Sequence, residues 1–192
     1  MTLSTAVVAA MLVALAVPGA ARAEVSDTLW TLLRGGGQAI MIRHGVTDAG
    51  VGDPPGFRAG DCATQRNLND AGRAEARRVG AALQARGVPI GDVLSSEWCR
   101  CLETARLAFG RAEPWAPLNS YFPRINTEEK STPAVRARIA SAPPGTNLVL
   151  VTHNINIRAV AGVNSAPAEM VVLTPDGGGF RVAGRIRPEE LP

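Results

Sequence analysis

The sequence predicts an α/β sandwich of three layers, built on a mostly parallel central sheet with an antiparallel edge. Three observations point there. Short apolar runs alternate with longer segments of helical period, the pattern of strands joined by crossover helices. Hydrophobic residues make up 46% of the 192, enough for one well-buried core. The chain closes on two strand-like runs, Met170 to Leu173 and Gly179 to Ile186, joined through Pro175-Asp176-Gly177-Gly178. With 19% charged and 4% aromatic residues, a disordered polymer, a collagen-like repeat and a polytopic membrane protein are excluded.

Ala6 to Val17 is an uncharged apolar run, followed by Pro18, Gly19 and the small-residue pattern Ala21-Arg22-Ala23. It reads as a secretory signal over residues 1–23, cut before Glu24, although Met1 to Thr5 lacks the usual Lys or Arg. The run has 12 residues, where a bilayer span needs about 20, so no membrane insertion is expected after cleavage. Residues 24–192 then form a single domain in a periplasmic or secreted setting.

Gln38 to Ile42 reads as a short buried strand and Asp70 to Arg86 as a helix, with Asn69 able to accept from its first free amides. Gly72, Ala76, Val79, Gly80 and Leu83 share one face of that helix, the expected core face. Asp92 to Ser95 is the next strand, and Glu97 to Phe109 the next helix, with Ser96 as its cap. A strand at Trp115 to Leu118, an irregular stretch from Asn119 to Lys130 and a helix from Thr132 to Ala140 follow. Asn147 to Val151 carries the strongest buried-strand pattern, and Ile155 to Ala161 is a short helix.

Three cysteines allow one bridge and one free thiol in an exported chain. On the Glu97 to Phe109 helix, Cys101 falls on the apolar stripe with Trp98, Leu102, Ala105 and Phe109, whereas Cys99 shares a face with Glu103 and Arg106. The expected pair is therefore Cys62 with Cys99, leaving Cys101 buried; three free cysteines, or Cys62 with Cys101, stay open. No metal is expected, because neither of the two histidines lies at finger spacing from a cysteine. Of the 20 basic residues all but Lys130 are Arg, interleaved with 17 carboxylates, for a net charge of +3. That pattern does not suit a nucleic-acid binder, but leaves room for a small anion held by a few arginines.

In open α/β sheets ligands bind beyond the carboxyl ends of the strands. Both histidines stand there: Ala39 to Ile42 runs into Arg43-His44-Gly45, and Leu148 to Val151 into Thr152-His153-Asn154. The strand ending at Ser95 opens into the helix that carries Arg100. Two imidazoles and two guanidiniums on one rim suit a phosphate dianion, with one neutral imidazole as nucleophile. Gly45 would let backbone approach the phosphate closely. Each residue alone has a plain structural reading; the combination is what carries weight.

Arg43-His44-Gly45, Leu68-Asn69-Asp70-Ala71-Gly72, Ser95-Ser96-x-x-x-Arg100-x-x-x-Thr104-Ala105 and Thr152-His153, in that order, resemble the histidine phosphatase superfamily, or phosphoglycerate mutase-like fold. The resemblance spans Ile40 to Ala161. It implies that His44 is the phosphorylated nucleophile and that Arg43, Arg100 and His153 hold the phosphoryl group. The compact length and the segment Asp61 to Leu68 resemble the small exported bacterial branch. Thr64, Gln65, Arg66, Arg58 and Asn154 are candidates for substrate contact.

The pattern breaks at the proton donor. Family mutases carry Glu in a Leu-x-Glu context, where this chain has Leu118-Asn119-Ser120, and the phytase-like branch carries Asp where this chain has Asn154. Glu128 is nominated as general acid, with Glu129 and Asp48 as alternatives. The expected protein is an exported, cofactor-free and metal-independent phosphomonoesterase, whose partner is a small phosphorylated substrate such as an envelope sugar phosphate. Its pH optimum would reflect an unprotonated His44 beside a protonated acid. The rivals are a phosphoglycerate mutase, a phosphohistidine-protein phosphatase, and a phosphate-binding protein without a competent acid. Oligomeric state is not legible.

Overall fold

The structure is a computed structural model that describes residues 18–50, 52–121 and 128–191. Its sheet contains β1 (Ala39–Arg43), β2 (Ile90–Ser95), β3 (Glu113–Pro114), β4 (Asn147–Thr152), β5 (Met170–Asp176) and β6 (Gly179–Ile186), in the order β3-β2-β4-β1-β5-β6. β1 to β4 are mutually parallel; β5 runs antiparallel to β1 and β6 antiparallel to β5. Helices α1 (Pro18–Gly35), α2 (Asp70–Ala85) and α3 (Cys99–Phe109) cover one face, and α4 (Glu128–Ala140) and α5 (Asn154–Ala161) the other. This is the expected three-layer sandwich with an antiparallel edge.

Side-chain alternation along the central strands explains the two cores. Ile40 and Ile42 pack with Val79 and Leu83 of α2 and Ala105 of α3, while Ala39 and Met41 pack with Ile139 of α4 and Ile157 of α5. β1 from Ala39 to Ile42 and the whole of β4 are buried, which is why both read as continuous apolar runs. All five residues assigned to the core face of α2 are buried, and Asn69 Oδ1 accepts the Gly72 N–H at 3.0 Å as its cap.

The structure corrects several expectations. The sequence reading places no helix before Gln38, yet α1 packs Leu29, Trp30 and Leu33 into the α2 side of the core. The predicted strand at Trp115 to Leu118 is instead a 3-10 turn over Ala116–Leu118, because Pro117 has a fixed φ and no N–H to give a ladder; β3 lies earlier, at Glu113–Pro114. α3 begins at Cys99 rather than Glu97, and α4 at Glu128 rather than Thr132, with Pro133 inside it. The final hairpin turns on Gly177 and Gly178 alone, both at positive φ (53° and 84°), so Pro175 and Asp176 belong to β5. The apolar run Ala6 to Val17 lies outside the described residues.

β1 and β4 are neighbours at the centre of the sheet, but the chain leaves their carboxyl ends toward opposite faces, to α2 and to α5. That divergence opens a crevice at the strand ends. His44 and His153 are the first residues beyond them.

Candidate active site

Register brings the two histidines together. Arg43 pairs with Thr152 across β1 and β4, and His44 N donates to Thr152 O at 3.0 Å, so the next residue of each strand projects into the same space. The two imidazole centroids are 5.4 Å apart, edge to face, and each residue is 4% exposed. β2 supplies the third element: Ser96 N donates to Val151 O, and Arg100 follows on the first turn of α3.

Each ring is oriented by its neighbours. His44 Nδ1 lies 2.8 Å from Gly45 O. A carbonyl oxygen only accepts, so Nδ1 carries the proton and Nε2 keeps a free lone pair. Gly45 N donates to Thr104 Oγ1 at 3.1 Å, and that hydroxyl donates to Arg100 O at 2.7 Å, which ties the loop after β1 to α3. Gly45 is also required by packing, since a Cβ there would lie 2.5 Å from Gly72 O, and one on Gly72 would lie 2.1 Å from Val46 O. The two backbones approach through paired glycines, a steric role that the sequence reading did not give Gly45.

His153 is held by a chain of polar groups. Asn119 Nδ2 donates to Glu97 Oε2 at 2.6 Å, which turns Asn119 Oδ1 toward Glu97 N and the Ser96 hydroxyl. With its proton directed to Asn119, Ser96 Oγ accepts from His153 Nε2 at 2.9 Å, leaving Nδ1 for the site. Cys101 Sγ lies 3.5 Å from the same Nε2; the thiol is fully buried, and burial pushes it up to about 12, so it stays protonated.

Three arginines converge on the histidines: Arg43 and Arg100, expected at the phosphoryl group, and Arg66, a candidate for substrate contact. Arg43 Nη1 donates to Ser165 O at 2.8 Å. Arg100, 4% exposed, meets Asp53 with both ends of its fork, Nη1 to Oδ1 at 2.8 Å and Nη2 to Oδ2 at 3.3 Å. Asp53 Oδ1 also accepts Arg66 N at 3.0 Å. The Nε–H groups of Arg43, Arg66 and Arg100 are buried without an acceptor. Burial lowers the affinity of Arg43 and Arg66 for their protons, and repulsion between the arginines lowers it further. This is a concentration of unsatisfied donors and unbalanced positive charge, the environment that an oxyanion with several oxygens would relieve.

The same surroundings keep both rings neutral. Burial chiefly, and then Arg100, Arg43 and Arg66, push His44 from 6.5 down to about 3, against an opposing pull from the Gly45 carbonyl. His153 is driven well below its ordinary value by burial and then by His44 and the arginines. Unfolded histidines titrate near 6.5. Below that pH the unfolded chain binds more protons than the folded one, so stability falls as pH drops from about 6.5 toward 3. The expected slope reaches about 1.4 kcal/mol per pH unit for each histidine. Denaturant midpoints measured between about pH 7 and about pH 4 should fall, and fall less steeply in His44→Asn; equal slopes in both proteins would contradict the burial argument.

The Cys62–Cys99 bridge is formed, and Cys101 is the free thiol among the described residues. It ties the 3-10 turn Cys62–Thr64 to the start of α3, beside Arg100. Gln65 Oε1 adds a second tie by accepting Cys99 N at 2.9 Å, which caps the start of α3. Ser96, the expected cap, is bonded to His153 and only at 3.3 Å to Trp98 N. The double variant Cys62→Ser/Cys99→Ser is expected to lose about 2–4 kcal/mol of stability and to raise KM, because Arg66 sits in the released loop. An unchanged melting temperature and KM would refute this.

Other candidates are engaged elsewhere. Thr64 Oγ1 donates to Asp61 O and accepts Arg58 N within its own loop, and Arg58 pairs with Asp61 at the exposed surface. Asn154 Oδ1 accepts Ser165 N at 2.7 Å, so it shapes the turn whose carbonyl holds Arg43 rather than presenting a free amide. Asp48 accepts Asn69 Nδ2 at 3.2 Å. Glu128 and Glu129 begin α4, with side chains outside the described residues. The sequence reading missed Asp53 and assigned no role to Ser96 as a histidine partner, Thr104 or the Asn119 relay; loop residues such as Asp53 carry no periodicity that could have revealed them.

Residues 39–119 match the family "Histidine phosphatase superfamily (branch 1)". No curated protein matches the chain by sequence. Among solved structures, the putative phosphohistidine phosphatase SixA from Agrobacterium tumefaciens is 21% identical, with a TM-score of 0.53 over 79% of this chain and 98% of that one. A putative alpha-ribazole-5'-P phosphatase from Escherichia coli is 16% identical, with a TM-score of 0.58 over 76% and 94%. A mycobacterial glucosyl-3-phosphoglycerate phosphatase in complex with VO3 is 19% identical, with a TM-score of 0.52 over 71% and 92%. Paired histidines and arginines thus stand at the strand ends of a phosphoglycerate mutase-like fold, and residues 39–119, which hold the first histidine and the arginines, carry the signature of the histidine phosphatase superfamily.

Proposed function

We propose that the protein is an exported phosphomonoesterase that works through a phosphohistidine on His44, on a small phosphorylated substrate and without a metal. The observation that carries this reading is the set of three buried guanidinium Nε–H donors without acceptors, around an imidazole whose Nε2 lone pair is free. The arginines bind the equatorial oxygens, neutral His44 attacks phosphorus through Nε2, and the leaving alcohol departs with a proton. Water then cleaves the N–P bond. The cations stabilise charge that spreads over the phosphoryl oxygens in both transfers, which is the role a metal has elsewhere.

Export is supported by the leader-like segment at residues 1–23 and by the disulfide, which persists in an oxidising compartment. α1 runs across the Ala23–Glu24 bond, and its packing residues Leu29, Trp30 and Leu33 all lie beyond it, so cleavage there leaves the core contacts in place. No described helix is long and apolar enough to cross a membrane. An envelope sugar phosphate fits the compartment.

A panel of phosphomonoesters assayed in excess chelator tests the reading. Turnover unchanged by chelator, with an acid-labile phosphoryl group trapped on the enzyme after rapid quenching, is the expected outcome. Loss of activity on chelation, restored by a divalent cation, would overturn it.

A further inference from the structure

We propose that Asp53 donates the proton to the leaving alcohol, and that its fork-to-fork pair with Arg100 is the resting position of a carboxylate that the substrate phosphate displaces. The proposal rests on the phosphohistidine reading above and supplies its missing part. An alkoxide is a poor leaving group, so hydrolysis of an alkyl phosphate needs an acid beside the departing oxygen.

The described carboxylates narrow the choice. Glu97 Oε2 is bonded by Asn119, Asp48 by Asn69, and Glu75 Oε2 by Val46 N. Asp53 is bonded to a buried guanidinium of the phosphate cluster, yet its own side chain is 27% exposed against 4% for Arg100, so it occupies the open side of that pair. Its loop is anchored over the site by Phe57, whose ring stacks on Trp98 at 4.7 Å, and Trp98 in turn meets His153 edge to face at 5.6 Å. The acid therefore enters from the loop that follows the nucleophile strand.

The exchange follows from hydrogen-bond arithmetic. The two Arg100 N–H groups that now hold Oδ1 and Oδ2 suit two phosphate oxygens equally well and cannot fully serve both acceptors. When phosphate takes the fork, Asp53 loses its cation but keeps the Arg66 N–H, which holds it next to the incoming anion. In the resting state burial would raise its carboxyl, but the bonds from Arg100 and Arg66 outweigh that and keep it ionised. Beside a phosphate the balance reverses, because two adjacent anions favour a shared proton. A phosphomonoester monoanion, whose second ionisation lies near pH 6, brings that proton.

The steps then balance. The ester proton passes to Asp53; His44 Nε2 forms a bond to phosphorus as the bond to the alkoxy oxygen breaks; and Asp53 returns the proton to that oxygen, releasing the alcohol. In the second half, water attacks phosphorus, the N–P bond breaks, and Asp53 accepts the water proton and passes it to the departing phosphate, leaving His44 neutral and Asp53 ionised as at the start.

The test compares wild type, Asp53→Asn, Asp53→Glu and Glu128→Gln on p-nitrophenyl phosphate, whose phenolate leaves without help, and on glycerol phosphate, whose alkoxide does not. Asp53→Asn is expected to lose about 10²- to 10⁴-fold in kcat on the alkyl ester, to stay within about tenfold on the aryl ester, and to lose the basic limb of the pH profile. Asp53→Glu should restore part of the alkyl activity. Inhibition by inorganic phosphate should persist or tighten in Asp53→Asn, which reports an intact pocket. Equal losses on both esters would mean that Asp53 only positions Arg100, a gain on both with a lower KM would mean that it only blocks the site, and a leaving-group-dependent loss in Glu128→Gln instead would assign the acid to α4; each overturns the proposal. Aryl turnover indifferent to His44 would instead overturn the phosphohistidine reading, and Asp53 with it.

Discussion

Replacing His44 with alanine is expected to reduce turnover of every phosphomonoester by about 10³-fold or more, and to abolish the acid-labile phosphoenzyme. In the proposed reaction Nε2 forms the bond to phosphorus: the Nδ1 proton is fixed on Gly45 O at 2.8 Å, and burial beside three arginines holds the ring neutral down to about pH 3. His153 is not expected to take over, because its ring centroid lies 5.4 Å from that of His44, away from the position of the attacking Nε2. His44→Asn, which keeps a polar group of similar reach, should be equally inactive and better folded. Tungstate or phosphate should still protect both variants from thermal unfolding, since the guanidiniums remain. Residual activity within tenfold of wild type, or phosphoryl trapped on either variant, would remove His44 from the mechanism.

The second large effect is expected at Arg100. Its alanine variant should lose about 10²- to 10³-fold in kcat/KM, the usual consequence of deleting one preorganised donor to a developing oxyanion, or about 3–4 kcal/mol. Two further consequences follow from its contacts. Asp53 loses both fork bonds, and inhibition by tungstate should weaken in parallel with kcat/KM. Arg100→Lys keeps the charge but not the planar fork, so it should recover only part of the loss. A change of less than tenfold in Arg100→Ala would place the phosphate elsewhere on the rim.

The strand-end histidines were legible because two independent signals coincide at each: a fully apolar run wide enough for a buried parallel strand, and an abrupt change to polar residues where it ends. The disulfide was legible for a similar reason, since helical spacing sends Cys99 and Cys101 to different faces and only one of those faces is apolar. α1 was missed because its stripe of Leu29, Trp30 and Leu33 adjoins a segment whose composition reads as a leader. Trp115 to Leu118 was misread because apolar content alone does not distinguish a strand from a proline-bearing turn.

Thr64, Gln65 and Asn154 show what proximity along the chain leaves open. They neighbour site residues in sequence, yet their side chains are bonded to a loop, a helix start and a turn. The amino-acid sequence by itself determined the layers, the central strands and the identity of the residues at their ends, because hydrophobic periodicity and chemical type are local properties. Which way each of those side chains turns, that Arg66 joins the cluster, and that Asp53 from an irregular loop rests on the Arg100 fork were decided only by the tertiary structure, since a hydrogen bond between residues 47 positions apart depends on the packing of everything between them.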